Sequence, residues 1–449
     1  MKNKKIYIFL SMLLAFTVLG CDDVLDTKLD DEIPAATAIT DNISLKAAAV
    51  GLYDVMQSGT YYGGEFILAQ ELTGGNADAT GFQERFTQLD NAIVPPSNAY
   101  IQSNWVNVYS LVNASNLILL KMEELQLQDD NSKGTALFCR ALGHFDALRQ
   151  FGQFTDLNSK YGVPVSTKYL DAKAAAEISR STVAESYQQI ISDLKEAIGI
   201  LKYDSARFFI TKAAAEALLA RVYLYQGDYD NAILYASKVI SNSTYKLNTK
   251  FNDIYDVEGS SEAILELQFL GIDGNSLTEY LSVSPPEVSA NYNNFFKAMD
   301  ADNDPRSYKY YDSGKEVFCD KYGTRDSEID GNAIILKLSE IYLIRAEALA
   351  KKDPQNLTLA LADLNVVRQR ALPAKPYTLV EIPNLDAFIN VLIEENKREL
   401  GFEGHQWFTI VRLGKASSIL NIPAFRTTYP IPQNEITIAR GKLEQNPGY

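Results

Sequence analysis

One stretch limits the fold more than any other: TKAAAEALLARVYLYQGDYDNAILYASKVIS, Thr211 to Ser241. Apolar residues recur at three- and four-residue steps on both sides of Gly227-Asp228-Tyr229, which predicts two helices joined by a tight turn. Ala214, Ala220, Ala232 and Ala236 are small enough to let the two axes approach closely. A helix pair of this kind cannot bury its own apolar face, so it must stack on further helices.

The chain supplies them. LKLSEIYLIRAEALA places Leu338, Ile341, Tyr342 and Leu349 on one face, and LALADLNVVRQRA continues to Ala371. Further helices are predicted at Ala47 to Met56, at Asn104 to Leu125 (with Trp105, Val108, Tyr109 and Val112 on one stripe) and at Ala136 to Phe151, which Gly152 ends. Thr182-Val183-Ala184-Glu185 reads as a capping box that opens a helix to about Leu201. Small and large residues arranged around a mid-repeat Gly match the tetratricopeptide pattern. The predicted fold is mainly α: a tetratricopeptide-like helical scaffold (helices about 104–241 and 334–371) with irregular loops and little β-structure.

Periodicity breaks in two regions. Residues 58–100 carry Gly63-Gly64, Gly74-Gly75 and Pro95-Pro96, and residues 246–333 carry Gly271, Gly274 and Pro285-Pro286. Long irregular segments in a folded chain usually serve binding.

The N-terminus is an address. Lys2, Lys4 and Lys5 precede the apolar run Ile6 to Leu19, then Gly20-Cys21. This is the layout of a secretory signal peptide, and the run falls short of the roughly 20 residues a membrane span needs. Val18-Leu19-Gly20-Cys21 resembles a lipobox, with Cys21 the site of lipid attachment. The predicted organisation is a leader over 1–20, a tether over 21–38 and one domain over 39–449.

The chemistry is mostly exclusion. Net charge is −15, and loss of the three leader lysines leaves −18, which repels nucleic acid and offers no polybasic membrane patch. His144 and His405 have no metal-ligand spacing. Neither a phosphate-cradling loop nor a Gly-x-Ser-x-Gly elbow is present, so the reading is a non-enzyme. Asp300, Asp302 and Asp304 begin like a calcium loop, but Pro305 and Tyr311 stand where an EF-hand needs Gly and Glu, leaving only an irregular calcium site open. Cys139 and Cys319 read as structural thiols.

The C-terminal stretch 394–449 carries KRELGFEGHQWFTIVRLGK (Lys397 to Lys415), TYPIPQNEI (Thr428 to Ile436) and LEQNPGY (Leu443 to Tyr449). In that order these resemble the signature of the SusD/RagB-like family of outer-membrane nutrient-binding lipoproteins. The chain departs from it at Gln406, Thr409 and Ala439-Arg440-Gly441, and the first two departures imply that one family salt bridge is missing. The resemblance implies a surface-exposed, lipid-anchored protein that binds a nutrient, most often an oligosaccharide, and passes it to a SusC-like TonB-dependent transporter. Peptide cargo on the same fold, or an interaction scaffold with no small ligand, are the alternatives. The charged helix around Glu394 to Glu399 is expected to pack on the scaffold, with Arg345 as partner for one of its Glu residues, and DNDPR to close a turn after a helix.

Sugar rings need flat aromatic faces and polar side chains. Both Trp residues fall on scaffold elements, so a platform must come from the two loop regions. The candidates are Tyr61, Tyr62, Phe82, Phe86, Tyr100, Tyr280 and Tyr292, with Asn76, Asp78 and Arg85 as polar partners.

Overall fold

The computed structural model describes residues 35–81, 83–270, 274–282, 287–314, 316–323 and 331–449. Cys21, the leader and most of the tether lie outside them, as does Phe82. The tether's last turn, Ala35–Ala38, is helical. Its alanines are strong helix formers, which outweighs the missing periodicity there.

The predicted helices form, with small shifts at their ends. Asn42–Gln57 begins at Asp41, whose side chain accepts the Ile43 and Ser44 N–H groups while Ser44 closes the box in return. Ala99–Glu124, Asp130–Phe151, Val183–Ile200, Lys212–Gln226 and Tyr229–Ser241 follow. The Thr182 capping box is present. Gly227 closes its turn at φ +85°, where a side chain would be strained. Gly143 lets two helices touch: a Cβ there would stand 2.8 Å from the Val112 side chain.

Each helix in this series packs on the next, and Leu338–Lys352 then packs on Tyr229–Ser241. Thr358–Ala371 packs on Leu338–Lys352, and Leu385–Leu400 lies against both. The 246–333 region is therefore a long insertion between two helix pairs that are neighbours in space. A continuous buried apolar cluster runs from Ile39 to Leu443.

The two irregular regions hold more order than their sequence announces. Glu65–Thr73 is a helix buried on every side, so it has no polar face and no amphipathic period. Among the described residues six short strands form two sheets: β1 (Ala77–Ala79), β3 (Val288–Ala290), β5 (Val317–Cys319) and β4 (Tyr310–Asp312) in that order, and β2 (Ala263–Leu267) with β6 (Ala333–Lys337). Strands of three to five residues keep the β content small.

Charge joins the insertion to the C-terminal helix. Arg306 contacts Asp304 at 2.7 Å, Glu395 at 2.6 Å and Glu399 at 3.2 Å, all fully buried. Arg368 reaches Glu395, Arg370 binds Glu262 and Glu399, and Lys321 and Lys337 share Glu403. Arg345 is not the partner of this helix. Its guanidinium is taken by Asp363 at 2.7 Å and by Ser237, because its face of Leu338–Lys352 looks toward the neighbouring repeat helices. DNDPR does close a turn: Asp304 accepts the Arg306 N–H at 3.1 Å after the helix Lys297–Asp302. Cys139 and Cys319 are both buried, and burial pushes both thiols up.

Candidate functional site

The two loop regions meet in the four-stranded sheet. Asp78 lies opposite Ser289, Ala290 opposite Val317, and Tyr311 opposite Phe318. Side chains alternate across a strand. Ala77, Ala290, Val317, Cys319 and Tyr310 thus share the inner face, and Asp78, Ser289, Phe318 and Tyr311 share the other. Asn291, two residues beyond Ser289, donates to Asp78 Oδ1 at 2.7 Å and fixes that carboxylate across β1 and β3.

Aromatic surface collects around the same sheet. Tyr311 is 52% exposed on β4, Tyr308 77% exposed on the turn just before it, and Tyr292 42% exposed on the turn just after β3. Tyr311 and Phe318 rings stand 6.2 Å apart. A second cluster sits at the start of β3, where the Glu287 N–H bonds the Tyr280 carbonyl and Gln83 donates to the Glu287 carboxylate. There Arg85 pairs with Glu65 at 2.9 Å, Tyr280 donates to Glu65 at 3.3 Å, and the Tyr280 ring meets Phe86 edge-on at 5.4 Å. Burial pushes the Glu65 carboxyl up, and Arg85 works against it. Asp90 accepts the Ala79 N–H at 3.1 Å; burial raises it as well, with Asp78 adding to the shift.

Of the residues expected to bind, Asp78, Arg85, Tyr280 and Tyr292 reach the surface around this sheet. Five others are core. Tyr61 and Tyr62 both donate to Asp146 Oδ2, at 2.5 and 2.9 Å, and Asp146 pairs with Arg149. Tyr100 donates to Gln150 at 2.7 Å. Phe86 is buried beneath Arg85. Asn76 donates to Glu71, which also accepts the Gly404 and His405 N–H groups, so it braces β1 against the C-terminal motif. The three tyrosine hydroxyls each have a long-range internal partner, which is why those rings turn inward and have no face to offer a ligand. Phe82 lies outside the described residues.

Tyr308, Tyr311 and Asn291, which also reach the surface around the sheet, are not among the residues expected from sequence. The signal was the dense aromatic run Tyr308-Lys309-Tyr310-Tyr311, whose alternation puts one ring in and its neighbour out. The acidic triplet is committed elsewhere. Asp302 contacts Lys375 and Arg398, and Asp304 contacts Arg306 and Arg398. Burial opposes ionisation of Asp304, but the Arg306 hydrogen bonds outweigh it and hold the carboxyl below its usual range. With guanidinium groups on two of the three carboxylates, this turn is an ion-pair node and not an oxygen cage for calcium.

The departures in the C-terminal motif are also visible. Gln406 and Thr409 are buried, and neither end of the Gln406 amide has a hydrogen-bond partner among the described residues. Trp407 is fully buried and stacks on Tyr429 at 6.0 Å.

Comparison with known proteins agrees with this architecture. A family model described as starch-binding and associating with the outer membrane matches residues 23–224, and the SusD family model matches residues 229–424. SusD-like protein P2 of Formosa agariphila is 25% identical, over 98% of each chain. The crystal structure of a SusD superfamily protein from Bacteroides vulgatus superposes with a TM-score of 0.80 at 24% identity, covering 92% of this chain and all of that one. Surface glycan-binding protein A of Bacteroides thetaiotaomicron, solved in complex with laminarihexaose, gives 0.73 at 20% identity, covering 91% of this chain and all of that one. With two matches that adjoin and together run from residue 23 to residue 424, the chain belongs to the SusD/RagB-like family.

Proposed function

We propose that this protein binds an oligosaccharide on the outward face of the β1-β3-β5-β4 sheet and passes it, unchanged, to a TonB-dependent outer-membrane transporter. The observation that carries the reading is the pairing of exposed tyrosines with a fixed polar pair: Tyr292, Tyr308 and Tyr311 around the half-buried Asp78 and Asn291. Rings offer flat apolar faces to sugar C–H groups, and the polar pair offers bonds to hydroxyls. The starch-binding description of the matched family and the laminarihexaose complex of a relative of the same fold support a glycan over other cargo.

Anchoring goes with this role. Cys21 follows a lipobox-like Val18-Leu19-Gly20 in the sequence. Among the described residues no helix is long and apolar enough to cross a membrane. Acyl chains on Cys21 would hold the protein at the outer membrane. Replacing Cys21 by Ser should move it from the membrane fraction to the soluble one; retention of both membrane association and fatty-acid label rules the anchor out.

The ligand face is tested by calorimetric titration with neutral malto- and laminari-oligosaccharides. Tyr311→Ala should weaken binding about tenfold, roughly 1.4 kcal/mol, with the melting temperature unchanged. The recovered saccharide should be intact. Unaltered affinity in Tyr311→Ala, Tyr308→Ala and Tyr292→Ala alike would move the site elsewhere.

A further inference from the structure

A second concavity lies away from the sheet, on the scaffold itself. It is a pocket of about 330 Å³ between the helix Ala99–Glu124, the stretch 164–178 and the C-terminal residues 435–443. Trp105 and Tyr109, one turn apart with rings 4.7 Å from each other, form one wall. Leu170, Ile178, Ile438 and Leu443 form the others. None of the residues around the sheet lines it.

The wall's own polar groups are spent. The Tyr109 hydroxyl donates to the Pro164 carbonyl at 3.0 Å. Asn113 exchanges two bonds with the Leu170 backbone, at 2.9 and 2.8 Å. The Ser166 hydroxyl donates to the Lys168 carbonyl at 2.8 Å. A sugar ring would bury hydroxyls here with few groups left to receive them.

Two lining polar groups remain, the exposed Ser110 hydroxyl at the rim and Glu435, and only Glu435 is charged. It is half-buried, lines the pocket, and accepts one bond from Gln102 at 3.1 Å. Among the described residues no cation pairs with it. A carboxylate beside an apolar wall, in a chain of net charge −15, attracts positive charge more strongly than it would in water. The volume stands near the lower end for ligand sites, enough for one side chain and its head group.

We infer that this pocket binds a hydrophobic organic ammonium, with an aromatic or branched body against Trp105 and Tyr109 and the cation on Glu435; the N-terminal residue of a peptide has this chemistry. It is independent of the glycan reading and would add a second ligand class to the same protein.

The chain's tryptophans make the test direct. There are two, and Trp407 is sealed in the core, so a ligand-induced change in indole emission reports Trp105. The probes are phenylalaninamide (cationic), N-acetylphenylalaninamide (neutral) and 3-phenylpropionate (anionic), each added to the full-length protein. Phenylalaninamide should give a saturable change, and the other two should bind at least about tenfold more weakly. Glu435→Gln should abolish that preference without lowering the melting temperature. Trp105→Phe should lose the emission change while saturation-transfer NMR still detects the bound probe. Laminarihexaose should not displace it. No saturation up to the solubility limit, equal binding of all three probes, or displacement by the saccharide each overturns the proposal.

Discussion

Two seams of this molecule hold by opposite means. Where Lys212–Gln226 packs on its neighbours, the contact is mostly Ala213, Ala214, Ala217 and Ala220 with Leu218 and Leu219, all fully buried, with one buried ion pair, Arg221 to Glu340 at 2.6 Å, at its edge. Where the insertion, the end of β6 and Thr358–Ala371 meet residues 385–403, the contact is Arg306, Arg368, Arg370, Lys321 and Lys337 against Asp304, Glu262, Glu395, Glu399 and Glu403. The first seam is non-directional: any well-shaped apolar residue serves, and losses are graded by the cavity left behind. The second is a lattice in which most members contact more than one group of opposite charge. Removing one member strands its partners as buried charge. The lattice gives little net stability over apolar packing, but it penalises every other placement of the insertion. It therefore suits a segment that must carry the β1-β3-β5-β4 sheet at a fixed place on the scaffold.

The largest expected effect tests the lattice. Arg306→Ala removes the cation shared by Asp304, Glu395 and Glu399, leaving Arg398, Arg368 and Arg370 to hold one each across an emptied buried site, and should cost about 3–5 kcal/mol. Urea unfolding reads it directly. A loss below about 1 kcal/mol would mean that the buried charges are solvated and that the contrast between the seams is false. Leu218→Ala in the apolar seam should cost about 2–5 kcal/mol. The two differ in repair: Leu218→Met should recover most of the loss because volume is what matters there. Arg306→Lys should recover little, because an ammonium cannot reach three carboxylates in the planar fork that a guanidinium provides.

The same contrast decides what could be read from sequence. The scaffold was legible because its helices show periodic apolar faces and start at caps such as Asp41 and Thr182. Glu65–Thr73 was not, because total burial erases periodicity. The sheet was not, because three-residue strands are too short to show alternation. The proposed ligand face was half legible. Gly and Pro punctuation located the loop regions, and Asp78, Arg85, Tyr280 and Tyr292 do reach the surface there. Nothing local distinguishes Tyr62, whose hydroxyl belongs to Asp146 far along the chain, from Tyr311, which faces out. A tyrosine's direction is set by a partner that only the tertiary fold supplies.

Acid separates the seams once more, with a smaller effect. The lattice keeps its ions: burial raises Glu403, but Lys321 and Lys337 outweigh it and hold the carboxyl below its usual range. The scaffold helix Asp130–Phe151 instead keeps an ionisable group neutral. His144 is fully buried, accepts the Ser166 N–H on Nε2 at 3.1 Å, and is pushed down to about 3, by burial first and by Arg140 second. The signs then follow. The depressed carboxylate gives stability that is complete above about pH 4.3 and is lost only as pH falls further toward its folded value. For the histidine, the unfolded chain takes up a proton below about pH 6.5 while the folded ring does not. Its contribution therefore falls at once, by about 1.4 kcal/mol per pH unit, down to about pH 3. Between about pH 6.5 and 4.5 the two histidines, His144 in the scaffold and His405 in the C-terminal motif (also pushed down to about 3, by burial first), should weaken the fold while the lattice carboxylates stay ionised. With only two histidines in the chain, NMR can follow each ring. The His144 resonances should hold the neutral position through this range while the urea midpoint drops. A ring that titrates near 6.5 in the folded protein would show that the helix admits the charge, and the acid response of the two seams would then be one and the same.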